Sequence, residues 1–231
     1  MVGDVITPRH VGYIVDGNRR WAKAHGLPTY EGHLAGYNAI QDVASATFDA
    51  GVEYVSAYIF STENWKRSEQ EVSKLMSLVL KLLTSDVHLF DENNIKLKIL
   101  GSRDNVSEKI LKAIDDAETR TANNTRGTLA LCFNYGGQLE IADALKAMLK
   151  SGIDASDISP ELISDHLYSP EIPPLDLVVR TSGEQRISNF MLWRAAYSEF
   201  LFLEKMWPDM TKDDVTAILE EYSRRDRRIG G

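Results

Sequence analysis

Short β-rich runs alternate with helical stretches along the chain, and this alternation constrains its fold more than any other feature of the sequence. His10–Val15, Val52–Phe60, Ile95–Leu100, Thr128–Phe133 and Leu175–Arg180 read as strands, with Glu199–Leu203 as a sixth. Arg19–His25, His33–Ala50, Ser107–Thr121, Gln138–Lys150 and the stretch near Lys212–Arg225 have helical character, and Gly26 and Gly51 stand at C-terminal stops. Another long helix is predicted where Val72, Leu75, Met76, Val79, Leu82 and Leu83 recur at three- and four-residue spacing and so share one apolar face. A short helix follows the polar linker Ser151–Pro160. Strands joined through helices pair in parallel, and right-handed crossovers put helices on both faces. The expectation is an α/β fold with a largely parallel central sheet of about six strands, residues 1–231 forming a single domain.

Sheets of this kind bind ligands beyond the carboxyl ends of their strands. The residues that look chemical obey that rule: Asp16–Arg20, Ser61–Arg67, Asn134–Gly137 and Arg180–Ser188 each follow a predicted strand. In the first loop, Gly17 lets backbone approach a ligand closely, the next helix offers free N–H donors, and Arg19 and Arg20 add positive charge. This is a site for an anion. A carboxylate at Asp16 repels a bare diphosphate, so it serves either as a ligand to Mg²⁺ bridging to phosphate oxygens or as a helix N-cap.

Several function classes are disfavoured. The formal net charge of −8 argues against nucleic acid as a partner, so a phosphate site must be a local basic cluster such as Arg19, Arg20, Arg67, Arg180 and Arg186. The longest apolar runs, such as Val52–Phe60, fall short of the roughly 20 residues of a spanning helix, and Met1–Pro8 holds no apolar targeting segment, so a cytoplasmic location is expected. The single Cys132 allows no internal disulfide. Neither a Gly-x4-Gly-Lys-Ser/Thr loop nor a Gly-x-Gly-x-x-Gly turn follows the first strand, and Asp115-Asp116 and Asp213-Asp214 lack the third aspartate of Asp-Asp-x-x-Asp.

Five segments in order carry a specific resemblance: His10 to Lys23, Gly32-His33, Phe60 to Trp65, Asn134-Tyr135-Gly136-Gly137, and Arg180 to Asn189. They resemble the signature segments of cis-prenyltransferases, over a stretch from His10 to the terminal Arg227-Arg228-Ile229-Gly230-Gly231. The resemblance implies extension of an allylic diphosphate, farnesyl or geranyl diphosphate, by isopentenyl diphosphate with Mg²⁺, each addition creating a Z double bond. It implies that Asp16 helps hold the metal and that Gly17, Asn18, Arg20 and His33 bind the allylic diphosphate; Arg19 and Trp21 of the same segment are candidates for that site, Trp21 also for packing. It matches Arg180, Arg186 and Ser188 to the isopentenyl diphosphate site, and Ser61, Glu63, Asn64, Trp65 and Arg67 to a loop that orders over both substrates. Asn64 is a candidate for orienting the proton-transfer step, and Glu199 matches a metal-linked acid near a homodimer interface. The terminal Arg-x-Gly segment, Arg228-Ile229-Gly230, matches one that reaches the partner subunit, and transient contact with a membrane surface would serve product release. The alternatives are a non-catalytic lipid-binding or partner subunit of the same fold, or an unrelated phosphate-binding hydrolase.

Two departures from the family pattern stand out. Many bacterial members have Gly at the place of Arg19 and Arg at the place of Thr29, so one donor near the allylic diphosphate is exchanged for another. Long-chain members often carry a small residue at the place of Ile59. A branched side chain there predicts a narrowed apolar channel and a product of undecaprenyl type or shorter, of medium length with a short chain as the alternative. Leu78, Leu82, Leu100 and Leu129 are further candidate lining residues.

Overall fold

The computed structural model describes residues 6–225. The terminal segment with Arg227 to Gly231 and the first five residues lie outside the described residues. The first half of the chain forms β1 (His10–Ile14), α1 (Asn18–Ala24), α2 (Thr29–Asp49), β2 (Tyr54–Ser61), α3 (Glu69–Thr84), α4 (Val87–Glu92), β3 (Ile95–Leu100) and α5 (Glu108–Thr121). The second half adds β4 (Gly127–Tyr135), α6 (Gly137–Lys150), α7 (Pro160–Ser164), β5 (Leu177–Arg180), β6 (Glu199–Phe202) and α8 (Lys212–Arg224).

Side-chain caps account for several boundaries: Ser68, Ser107 and Ser159 accept backbone N–H groups at the starts of α3, α5 and α7. Gly26 and Gly51 follow the ends of α1 and α2 with positive φ, as their positions in the sequence suggest. The helix α4 was not anticipated. It buries only Val87 and Phe90, too few apolar positions to register as a period.

All six strands pair in parallel, in the order β3-β4-β2-β1-β5-β6, which meets the expectation for the sheet. The chain builds outward from β1 on one side, then crosses back to lay β5 and β6 on the other. That reversal opens a crevice at the carboxyl end of β1, where Ile14 lies beside Tyr58 of β2 and Arg180 of β5. The polar loops after β1, β2 and β5 therefore converge.

Side chains alternate between two faces. Val11, Val55, Leu97, Leu129 and Leu131 pack beneath Ile40, Leu75, Ile114 and Ile218 of the helices on one face. On the other, Ile14, Leu100, Ala130 and Cys132 pack with Leu175, Phe190 and Met191. A buried ion pair, Arg194 to Glu140 at 2.6 Å, joins α6 to the segment before β6. The β2–β4 register slips twice, once between Tyr58 and Phe60 and once between Phe60 and Ser61, leaving Ile59 and then Asn134 outside the ladder. Bulges of this kind re-aim side chains beside a site.

Candidate active site

Gly17 adopts φ +109, a left-handed conformation that only glycine takes without strain, and it rather than Asp16 is the N-cap of α1. The N-cap reading of Asp16 therefore fails. Its carboxylate accepts the Gly17 N–H at 2.7 Å and an Arg180 Nη2 hydrogen bond at 2.9 Å, and it pairs with Arg20 Nη2 at 3.2 Å. Burial opposes ionisation of Asp16, but the hydrogen bond and charge of Arg180, helped by Arg20 and the Gly17 N–H, hold its pKa below the ordinary carboxylate value. The Thr181 hydroxyl donates to the Asp16 carbonyl at 2.7 Å, so the loops after β1 and β5 are fastened to each other.

Arg180 is 5% exposed, and besides Asp16 it binds the Arg186 carbonyl at 2.5 Å and Ser188 Oγ at 2.8 Å. Its Nε is buried without a partner. Arg186, by contrast, is exposed and pairs with Glu184, which also meets Arg20 at 3.1 Å. Glu184 thus bridges Arg20 of α1 and Arg186 of its own loop.

A second carboxylate collects charge on the other side of the crevice. Glu71 Oε1, in the first turn of α3, lies 3.0 Å from Arg67 Nη1, 3.2 Å from His33 Nε2 and 4.0 Å from Arg19 Nε. Burial lowers the His33 pKa below its ordinary value, and the Arg67 and Arg19 charges reinforce it against the opposing Glu71 hydrogen bond. The imidazole is neutral near pH 7. Gly32 is required just before His33, because a Cβ there would collide with the Asn18 carbonyl oxygen where α2 passes α1.

Asp16, Gly17, Asn18, Arg19, Arg20, His33, Asn64 and Arg67 line one polar pocket of about 420 Å³, with Val15, Tyr58, Ile59 and Leu75 as its apolar wall. Behind it lies an apolar cavity of about 70 Å³, walled by residues such as Tyr37, Leu78, Leu82, Ile99, Leu131 and Phe133. Val15, Asn18, His33, Ile59 and Leu75 border both. A polar pocket lined by three arginines thus adjoins an apolar recess.

The family described as "Putative undecaprenyl diphosphate synthase" matches residues 14–230. The chain belongs to this cis-prenyltransferase family. It is 42% identical to an isoprenyl transferase of Thermotoga maritima, over 97% of each chain. It is 43% identical to a trans,polycis-polyprenyl diphosphate synthase, (2Z,6E)-farnesyl diphosphate specific, of Thermobifida fusca, over 98% of this chain and 82% of that one. Among solved structures, lavandulyl diphosphate synthase of Lavandula x intermedia, in complex with dimethylallyl diphosphate, superposes with a TM-score of 0.92 at 33% identity, covering 97% of this chain and 99% of that one. A probable undecaprenyl diphosphate synthase of Campylobacter jejuni gives 0.83 at 26% identity, covering 98% and 100%. The protein is accordingly an isoprenyl transferase, and the non-catalytic alternative is not favoured. Among the described residues no helix is long and apolar enough to cross a membrane.

For a cis-prenyltransferase, the placement of the remaining residues is informative. Ser61 and Asn64 cap each other in the 3-10 turn Thr62–Lys66: Asn64 Oδ1 accepts the Ser61 N–H at 3.1 Å, and the Ser61 side chain accepts in return. That leaves the Asn64 NH₂ for the pocket. Glu63 and Trp65 do not line the pocket, but they tie this turn down through Asn189 and Asn134. Trp21 faces away: its indole N–H donates to Asp209 at 2.6 Å and its ring packs on His25. Of the predicted channel residues, Leu78 and Leu82 line the recess, whereas strand alternation turns Leu100 to the opposite face and puts Ile99 in its place. Leu129 is in the core on the correct face but does not line the recess, which Leu131 and Phe133 do.

Glu199 does not meet Asp16 within the chain. It starts β6 opposite Leu177, three positions before Arg180, and pairs with Arg225 at 2.9 Å. Among the described residues no group of three or more His, Cys, Asp or Glu is placed to hold a metal ion. Mg²⁺ commonly takes only one or two carboxylates and completes its shell with phosphate oxygens and water. Asp16, partly exposed and lining the polar pocket, fits that use.

Proposed function

We propose that the protein joins isopentenyl diphosphate to an allylic diphosphate, farnesyl or geranyl, to form a Z-prenyl diphosphate of medium or short length with release of diphosphate. The observation that carries this reading is the arginine-lined pocket set against the apolar recess, with Val15, Ile59 and Leu75 bordering both. Arg19, Arg20, Arg67 and the N–H groups opening α1 bind the allylic diphosphate, and Asn18 and His33 border it where head meets tail. As the allylic carbon–oxygen bond breaks, negative charge grows on the leaving diphosphate, so preorganised guanidinium groups favour the transition state over the ground state. Asp16 would hold Mg²⁺, which supplies further neutralisation of that charge when bound. The loop with Arg180, Arg186 and Ser188 takes the second diphosphate beside Asp16.

The alkene of isopentenyl diphosphate then forms the new carbon–carbon bond and loses a proton. No protein nucleophile is needed, only alignment and exclusion of water from the cation. The Asn64 NH₂, which lines the pocket, orients the departing diphosphate in this proposal, and that diphosphate accepts the proton. The branched Ile59 at the border of pocket and recess supports a product shorter than a long polyprenyl chain. The working form is a homodimer with Glu199 near the interface, and contact with a membrane surface assists product release.

Labelled isopentenyl diphosphate incubated with Mg²⁺ and dimethylallyl, geranyl or farnesyl diphosphate tests the proposal, with products resolved by chromatography. Radiolabel in extended diphosphates that disappears on chelation is the expected result; no incorporation with any primer would end the reading. Dimethylallyl diphosphate belongs among the primers because a similar solved structure holds it.

A further inference from the structure

The turn Thr62–Lys66, which carries Asn64 over the polar pocket and leads to Arg67, has no buried residue of its own to hold it in place. What holds it is found on β4. Asn134 sits at the second slip in the β2–β4 register, between Phe133 opposite Phe60 and Tyr135 opposite Ser61. Its φ is +48 and it is 3% exposed. The bulge swings its amide out of the ladder and toward the turn.

All the strong groups of that amide are engaged. Nδ2 donates to the Ser102 carbonyl at 2.8 Å and to the Asp104 carbonyl at 2.9 Å, both in the segment after β3. Oδ1 accepts from Trp65 Nε1 at 2.7 Å. Turning the amide over would set oxygen against two carbonyls and NH₂ against an N–H, so this orientation is the one that satisfies every partner. Trp65 also packs edge-on to Phe60, ring centres 5.1 Å apart. The second tie of the turn, Asn189 Nδ2 to Glu63 Oε1, is longer at 3.3 Å and more exposed.

We infer that Asn134 is a positioning residue: by holding the Trp65 indole at the end of β4, it fixes Asn64 and Arg67 over the pocket. The inference rests on the reading of that pocket as a diphosphate site. Without the tie, the turn samples other positions and the competent fraction falls, which raises the apparent dissociation constant by the same factor.

Two substitutions and their combination test it. Asn134→Gly removes the side chain but tolerates the positive φ, and Trp65→Phe removes the indole N–H while keeping a ring against Phe60. Each is expected to raise KM for both diphosphates about tenfold, the order of one buried hydrogen bond, with a far smaller change in kcat. The double variant should be no worse than the more severe single one. In the free protein, trypsin should cut faster after Lys66 and Arg67 in both variants, and saturating inorganic diphosphate should restore protection.

Additive effects in the double variant, a fall in kcat at unchanged KM, or unchanged cleavage at Lys66 and Arg67 would each overturn the inference. Should Asn134→Gly fold poorly, Trp65→Phe alone decides, because it leaves the ties to Ser102 and Asp104 in place. Proteolysis needs no turnover. Failure of the latch therefore shows at Lys66 and Arg67, whereas failure of the prenyl-transfer reading shows in the product assay.

Discussion

Ile59 is the position at which product length should be most sensitive to a single change. It is a bulged, half-buried residue of β2 that borders both the polar pocket and the apolar recess. Ile59→Ala deletes three carbons at that border. Since the side chain is only half-buried, the stability cost should be about 2 kcal/mol, the low end for such truncations. The gain falls to the product. One more isoprene unit places five carbons in the recess, worth up to ~4 kcal/mol at ~0.8 kcal/mol per buried carbon. If only a quarter of that is realised, ~1 kcal/mol shifts the ratio of adjacent chain lengths about fivefold. The assay is incorporation of labelled isopentenyl diphosphate with one fixed primer, followed by reversed-phase separation of the dephosphorylated products. The distribution should move at least one C5 unit longer, with Ile59→Val between. An unaltered distribution at normal turnover would refute the gating argument, and Leu75 or Leu78 would then have to set the limit.

Asp16→Asn keeps the shape of the side chain but removes the charge facing Arg180 and Arg20. Turnover should fall by at least a thousandfold, while inorganic diphosphate in metal-free buffer binds as tightly as before or more so, since two guanidinium groups lose a competing carboxylate; weakened binding by calorimetry would contradict this. Arg19→Gly should raise KM for the allylic substrate roughly fivefold, the worth of an exposed charge pair of ~1 kcal/mol, because Arg19 lines the pocket yet is 62% exposed; an unchanged KM would remove it from the site. Acid should destabilise the fold through His10, whose pKa burial pushes from 6.5 to about 4. Between those values the unfolded chain binds a proton that the folded one does not, so stability is full above pH 6.5 and falls toward pH 4, by about 3 kcal/mol. Denaturant midpoints at pH 7 and pH 4.5 measure it, and His10→Gln should flatten the slope.

The alternation of strands and helices was legible because each strand is rich in apolar residues and several helices begin at a serine cap. A parallel sheet puts all four of the polar loops at one edge, but which of them meet depends on the strand order, and that order brings together the loops after β1, β2 and β5. What could not be read was which way side chains turn at the ends of elements. Trp21 lies in the signature loop yet hydrogen-bonds Asp209, nearly two hundred residues on. Leu100 lies one residue from Ile99, and a single step along a strand exchanges core faces. Glu71 and Glu184 were missed because carboxylates near a phosphate site look adverse in a sequence; the structure shows them spacing the arginines. The i,i+4 relation of Arg67 to Glu71 was the one available clue.

Arg180 has a consequence for how this site can change over generations. The same guanidinium closes the loop 181–188 on itself and pairs with Asp16, so holding the loop and facing that carboxylate are inherited as one trait. A replacement there cannot be partly tolerated, and an inactive variant would say little about which duty failed. Arg186, exposed and paired with Glu184, is freer to drift. Divergence among relatives should therefore accumulate at the rim of this loop and leave its root unchanged.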